Sequence, residues 1–142
     1  MAEVGRILGF TGTREGMSLL QIVTVDSLTM YDFHTVHHGD CLGADADMHA
    51  IAKSNGQWVV GHPPSDPKLR AYCEFDEIWP EKAYLTRNRD IVNSSSVLLA
   101  CPKESTEQAK GGTWYTVGYA RSKKKPIIIV WPNGEYDKWG IG

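Results

Sequence analysis

"SVLLACPKESTEQAKGGTWYTVGYARSKKKPIIIVWP", Ser96 to Pro132, holds in one stretch the alternation on which the fold turns. An apolar run of strand length ends at Pro102, and a polar loop follows. Gly111, Gly112 and Thr113 then open a helical segment, which leads into the β-branched run Ile127–Val130. Two short apolar runs separated by a helix are the pattern of a βαβ unit with parallel strands. The cationic "RSKKK" fits the solvated end of that helix, where positive charge complements the macrodipole.

Working outward, the same alternation recurs. "RILGF" (Arg6–Phe10) reads as a first strand, and "SLLQIVTVDSLTMYD" as a helix whose apolar face is Leu19, Leu20, Val23, Leu28 and Met30. "TVHH" (Thr35–His38) is a second strand, and "ADADMHAIAKSNG" a helix stopped by Asn55 and Gly56. "QWVVG" is a third strand, and "AYLTRNRDIVNSS" a helix with Leu85, Ile91 and Val92 inward. Between these last two lies His62–Lys82, with four prolines and no period, which reads as loop with at most a turn of helix. A loop of that length inside a compact domain suggests a functional flap. In the tail, Tyr136, Trp139 and Ile141 are able to pack back. The expected fold is a single α/β domain over residues 1–142: a Rossmann-like, doubly wound, mainly parallel five-stranded sheet with helices on both faces.

Composition narrows the function classes. Of 142 residues, 42% are hydrophobic and 23% charged, as in globular rather than disordered or fibrous chains. A net charge of -2 leaves no electrostatic footprint for duplex nucleic acid, so a nucleic-acid partner is disfavoured. Cys41, Cys73 and Cys101 are odd in number and widely spaced, which fits neither a zinc ribbon nor a disulfide framework and points to a reducing cytoplasm. The N-terminus lacks a secretory pattern and no apolar run approaches membrane-spanning length, so no membrane partner is expected.

In a doubly wound sheet the ligand sits at the carboxyl ends of the strands, and the loops there carry anion-binding chemistry. After the first strand comes "TGTR": Thr11 and Thr13 offer hydroxyls, Gly12 lets the chain turn, and Arg14 can grip a phosphate bidentately. A plain turn with a solvated arginine is the alternative. After the second strand comes "HGDCLGAD", in which Gly39 and Gly43 flank Asp40, well placed to accept ribose hydroxyls, while Asp45 is either a ligand contact or a helix N-cap. Gly111, Gly112 and Thr113 stand at a helix N-terminus, where free amides and the dipole favour an anion. Trp58, Trp79, Tyr84, Trp114 and Tyr115 are candidates for stacking on a base. Trp114 shares a face with Val117 and Ala120 and suits the core, which leaves Tyr115 as the better ligand residue. His37 and His38 point to opposite sides of a strand and cannot jointly chelate, so no metal is assigned, and no cofactor is.

"GFTGTR", "HHGDCLGADADMHAIA", "LTRNRDIVNSSSVLLACP" and "GGTWYTVGYA", in that order, resemble the SLOG superfamily, the Rossmann-like group that includes the SMF/DprA DNA-processing proteins and the LOG phosphoribohydrolases. Small single-domain members of the DUF2493 and YspA type look most similar. The resemblance runs from Gly9 to Val130 and implies a nucleotide or nucleotide-derived ligand, its phosphate on the glycine loop and its sugar at the first two strand ends. It also places the LOG-type arginine at Arg87. Where LOG hydrolases carry a glutamate, this chain has Tyr115 and Thr116, so a hydrolase would need a displaced carboxylate, with Asp40, Asp45, Glu104 and Glu107 as candidates. The expected function is therefore binding of a nucleotide-like small molecule for sensing or sequestration, as in a phage-borne sponge. The alternative is a nucleoside 5′-monophosphate N-glycosidase, in which Arg87 and Asp40 would be catalytic. Homo-oligomerisation, as a dimer or higher, is expected by analogy with related small folds.

Overall fold

A computed structural model of the chain describes residues 6–140; Ile141 of the expected tail packing lies outside them. All five anticipated strands form: β1 (Arg6–Gly12), β2 (Phe33–His38), β3 (Trp58–Gly61), β5 (Val97–Cys101) and β6 (Ile127–Val130). Two short edge strands, β4 (Glu77–Ile78) and β7 (Tyr136–Trp139), extend the sheet to seven in the order β4-β3-β2-β1-β5-β6-β7. Every neighbouring pair is parallel except β6 and β7. The tail thus returns through backbone pairing, while Tyr136 and Trp139 keep much of their side chains in solvent. The chain leaves β1 toward β2 on one side and later returns to β5 on the other, so the topological switch point falls between β1 and β5.

Helices cover both faces. α1 (Leu19–Thr29) and α2 (Ala44–Ser54) flank a core that includes Leu8, Phe10, Val36, Met48, Leu99 and Ile128. α3 (Tyr84–Ser94) and α4 (Gly112–Ser122) lie over the other face, where Val92, Trp114, Val117 and Ala120 pack on Leu98, Ala100, Ile127 and Ile129. In this parallel centre β5 and β6 are buried along their whole length, which is why their sequences are apolar runs rather than alternating ones.

Two helix faces differ from expectation. On α1, Leu19, Leu20 and Val23 are exposed, and the buried stripe is Gln21, Val25 and Thr29. Gln21 takes the inward position because its amide nitrogen donates to the carbonyls of Pro102 and Val130, each at 2.9 Å, tying α1 to the carboxyl ends of β5 and β6. Its carbonyl oxygen accepts from Ser18 N–H, completing a capping box. On α3, Leu85 is exposed while Arg87 and Asn88 are buried beside Ile91 and Val92.

The Pro-rich segment 62–82 is irregular apart from a 3₁₀ turn, Pro67–Leu69, and β4. It is fastened along its length. Ala71 N–H donates to Asp40 O (2.7 Å), Leu42 N–H to Leu69 O (3.0 Å), Trp79 N–H to Gly61 O (2.8 Å) and Ser65 N–H to Lys82 O (2.8 Å).

Candidate functional site

At the switch point the β1 loop, the loop after β5 and the start of α4 enclose a cleft of about 270 Å³. Gly12, Thr13 and Arg14 form one wall and Gly111, Gly112, Thr113 and Trp114 another; Glu15, Tyr84, Lys103 and Glu104 complete the lining. Chain geometry explains the opening. Thr13 N–H donates to Cys101 O (3.0 Å) and Ala44 N–H to Thr13 O (2.9 Å), which folds the "TGTR" loop between β5 and α2. A Cβ on Gly12 would lie 2.6 Å from Ala44 Cβ, and one on Gly43, at φ +93°, would strike the Arg14 backbone. Neither position admits a side chain. Gly111, at φ +120°, caps α4 without a side-chain bond, so no side chain of the cap occupies the first helical amides at the cleft wall.

A smaller chamber of about 40 Å³ shares Gly12, Arg14, Tyr84, Gly112 and Thr113 with this cleft, and its own lining includes Thr11, Cys41, Asp45 and Arg87. Burial pushes the Asp45 carboxyl up to about 6, against the pull of the Arg87 guanidinium. Asp45 is not the α2 N-cap, which is Gly43; its Oδ2 accepts from Cys41 N–H at 3.1 Å. Arg87 is buried and donates through Nη1 to the carbonyls of Gly39 and His62, through Nη2 to Cys41 Sγ, and through Nε to Tyr84 O and Asn88 Oδ1.

Of the residues singled out in the sequence, Thr11, Gly12, Thr13, Arg14, Asp45, Arg87, Gly111, Gly112 and Thr113 line the cleft or the smaller chamber. Gly39, Asp40 and Tyr115 do not. Gly39 lies against Arg87, whose guanidinium a Cβ there would strike. Asp40, at φ 54° and fully buried, accepts from Arg70 Nε at 2.8 Å and Cys73 N–H at 2.9 Å, both in the Pro-rich segment. The Tyr115 hydroxyl accepts from Arg89 Nε at 2.7 Å. Trp114 is buried as expected yet edges the cleft, and its Nε1 donates to Glu104 at 3.1 Å. Tyr84, one of several aromatic candidates, lines both spaces, with the Arg14 guanidinium 5.4 Å from its ring centre. Glu15 and Lys103, paired at 3.0 Å, are site residues that the motifs did not single out. They directly follow Arg14 and Pro102, so the strand-end rule itself would have found them.

Four of the five histidines form two separate pairs, as the alternation of β2 requires. His37 Nδ1 lies 2.8 Å from His62 Nε2, and His38 Nε2 lies 3.0 Å from His49 Nδ1. Ligand atoms of His38, His49 and Cys73 fall within 4.8 Å of one another, a spacing that would suit a metal. The chemistry opposes one. Asp40 N–H donates to His38 Nδ1 (3.0 Å), which puts the single proton of a neutral ring on Nε2, the atom that would have to bind the ion. Burial and the Asp40 charge also push the Cys73 thiol up to about 12.

Burial lowers His37, His38 and His49, and takes His62 from 6.5 down to about 3. The folded state holds these rings neutral while the unfolded chain protonates them, so their contribution is full above pH 6.5 and is lost as pH falls toward 3. Asp45 opposes this, gaining its proton earlier in the folded state, between about 6 and 3.8. His62 corresponds to on the order of 5 kcal/mol and Asp45 to about 3 kcal/mol in the opposite sense, so with His37, His38 and His49 adding to His62 the urea midpoint is expected to drop as pH falls from about 6.5 toward 4. His62→Gln should flatten that slope; a wild-type midpoint unchanged across this range would refute the assignment.

No family model matches the chain, and no curated protein does. Solved structures do. The molybdenum cofactor binding protein of Rippkaea orientalis superposes with a TM-score of 0.70 at 20% identity, covering 92% of this chain and 78% of that one. The molybdenum cofactor carrier protein of Chlamydomonas reinhardtii gives 0.63 at 22% identity, covering 89% and 76%. DNA processing protein A of Streptococcus pneumoniae gives 0.65 at 16% identity, covering 88% of this chain and 50% of that one. Among the described residues no helix is long and apolar enough to cross a membrane. The chain has the Rossmann-like fold of these solved structures.

Proposed function

We propose that this protein binds a nucleotide or nucleotide-derived small molecule, for sensing or sequestration, with its phosphate against Arg14 and Gly111–Thr113 and its ring near Tyr84. The observation that carries this reading is convergence: the "TGTR" loop and the "GGT" helix start, far apart in sequence, face one cleft at the switch point. Lys103 lines the same cleft but is paired with Glu15, so Arg14 carries the cationic contact, and a space of about 270 Å³ suits a mononucleotide better than an extended dinucleotide. The test is calorimetry with nucleoside monophosphates, the matching nucleosides and molybdenum cofactor, the ligand named for two of the similar structures. A monophosphate should bind at least about tenfold tighter than its nucleoside, and Arg14→Ala should remove most of that difference, since a hydrogen bond to a charged group contributes about 1.5–3 kcal/mol. Equal affinity for both forms would sink the phosphate reading. Molybdenum cofactor binding above every nucleotide would keep the anion cleft and replace its occupant.

Asp45 favours a second reading, N-glycosidic hydrolysis. It is the carboxylate that lines the chamber beside Arg87, and with its pKa near 6 it can take up or release a proton at ordinary pH. Free base released from a monophosphate, and abolished by Asp45→Asn, would establish turnover; tight binding without release would leave the protein a binder.

A further inference from the structure

A separate cavity, of about 510 Å³, opens at the β6–β7 edge of the sheet, away from the cleft. Its character follows from register. Opposed residues of an antiparallel pair share a face, and Asp137 and Trp139 stand opposite Ile129 and Ile127, which belong to the core beneath α4. Asp137 and Trp139 therefore lie on the α4 side of the sheet, with Ile129 and Trp131. Lys138 also borders the cavity but is one residue out of phase, and its Nζ lies 5.9 Å from the Tyr136 ring centre on the other side.

The result is an aromatic recess with surplus negative charge. Trp131 is held by its ring neighbour Trp114, centroids 5.9 Å apart, and by Nε1 donating to Asp137 Oδ2 at 2.8 Å. Trp139 is 41% exposed. Arg121, the lining cation on the α4 side, is occupied by Glu107 at 2.7 Å, so among the described residues no lining cation on that side answers Glu135 and Asp137. Two indoles in a concave wall beside such carboxylates make a setting that attracts a weakly hydrated cation, through the ring faces and through net charge together.

We infer that this cavity binds a substituted organic ammonium ion, recognised by Trp131 and Trp139 with Glu135 and Asp137 supplying the charge. It shares no lining residue with the cleft, so its occupancy stands or falls independently of the proposed function. The test is titration of the full chain with choline and with its uncharged isostere 3,3-dimethylbutan-1-ol, read by tryptophan fluorescence and by amide shifts at residues 129–139. Choline should give saturable changes centred on those residues and bind about tenfold or more tightly than the isostere. Trp139→Ala should abolish the preference and Glu135→Gln should reduce it, both in proteins whose circular dichroism and amide spectrum away from residues 129–139 show the fold retained. Equal response to both compounds, a choline response insensitive to Trp139→Ala, no saturable response, or capture of a lysine-rich peptide without choline binding would each overturn the inference.

Discussion

Arg87→Ala is expected to lower the free energy of unfolding by about 3–5 kcal/mol, read as a fall in the urea midpoint at constant slope. The guanidinium is the common partner of three chain segments: the turn after β2 through Gly39 O and Cys41 Sγ, the start of the Pro-rich segment through His62 O (2.8 Å), and the first turn of α3 through Tyr84 O (3.0 Å). Truncation leaves two buried carbonyls without a donor, at about 1–3 kcal/mol each, and opens a void beside the chamber. Arg87→Lys should recover less than half of the loss, because an ammonium cannot reproduce the planar fork that serves both carbonyls and the sulfur at once. A loss below about 1 kcal/mol for the alanine variant would show that the network contributes little and that Arg87 is held for its ligand alone.

Asp40→Ala carries a comparable penalty, about 3–5 kcal/mol, for a different reason. Its carboxylate is the buried counter-charge of Arg70, and its backbone turn at φ 54° is one that Asp tolerates better than Ala. The milder Asp40→Asn separates two roles. If Asp40 clamps the Pro-rich segment, the variant's Ala71 and Cys73 amides should exchange at least about tenfold faster while ligand affinity in the cleft stays within about twofold. Were Asp40 a ribose contact, affinity would fall and exchange in residues 62–82 would not change. Hydrogen exchange and calorimetry on the same sample decide between these outcomes.

The sheet is legible from sequence because its central strands are buried on both faces, and an unbroken run such as Ile127–Val130 has few other solutions. The short edges β4 and β7 are not, since Glu77–Ile78 and Tyr136–Trp139 are exposed and carry no period that a strand alone would impose. The α1 face misleads for a related reason: counting apolar residues favours Leu19, Leu20 and Val23, whereas long-range bonds from Gln21 set the rotation of the helix. At the site, topology locates the glycines and hydroxyls that adjoin strand ends. It does not reveal what Asp40 touches, because Arg70 and Cys73 reach it from the irregular stretch between the 3₁₀ turn and β4, whose path no local pattern specifies.

Whether the sheet can grow past β7 is decided by that strand's four residues. A second copy hydrogen-bonded edge to edge about a two-fold axis must turn about the sheet normal, which keeps each residue on its own face. Only residues of equal parity can then stand opposite one another. In one well-overlapped register Asp137 meets its own counterpart, and in the other Lys138 does. Alternating signs that would attract in a heterologous strand thus repel in a symmetric one, and a ribbon of mixed charge guards the sheet against extension by its own kind.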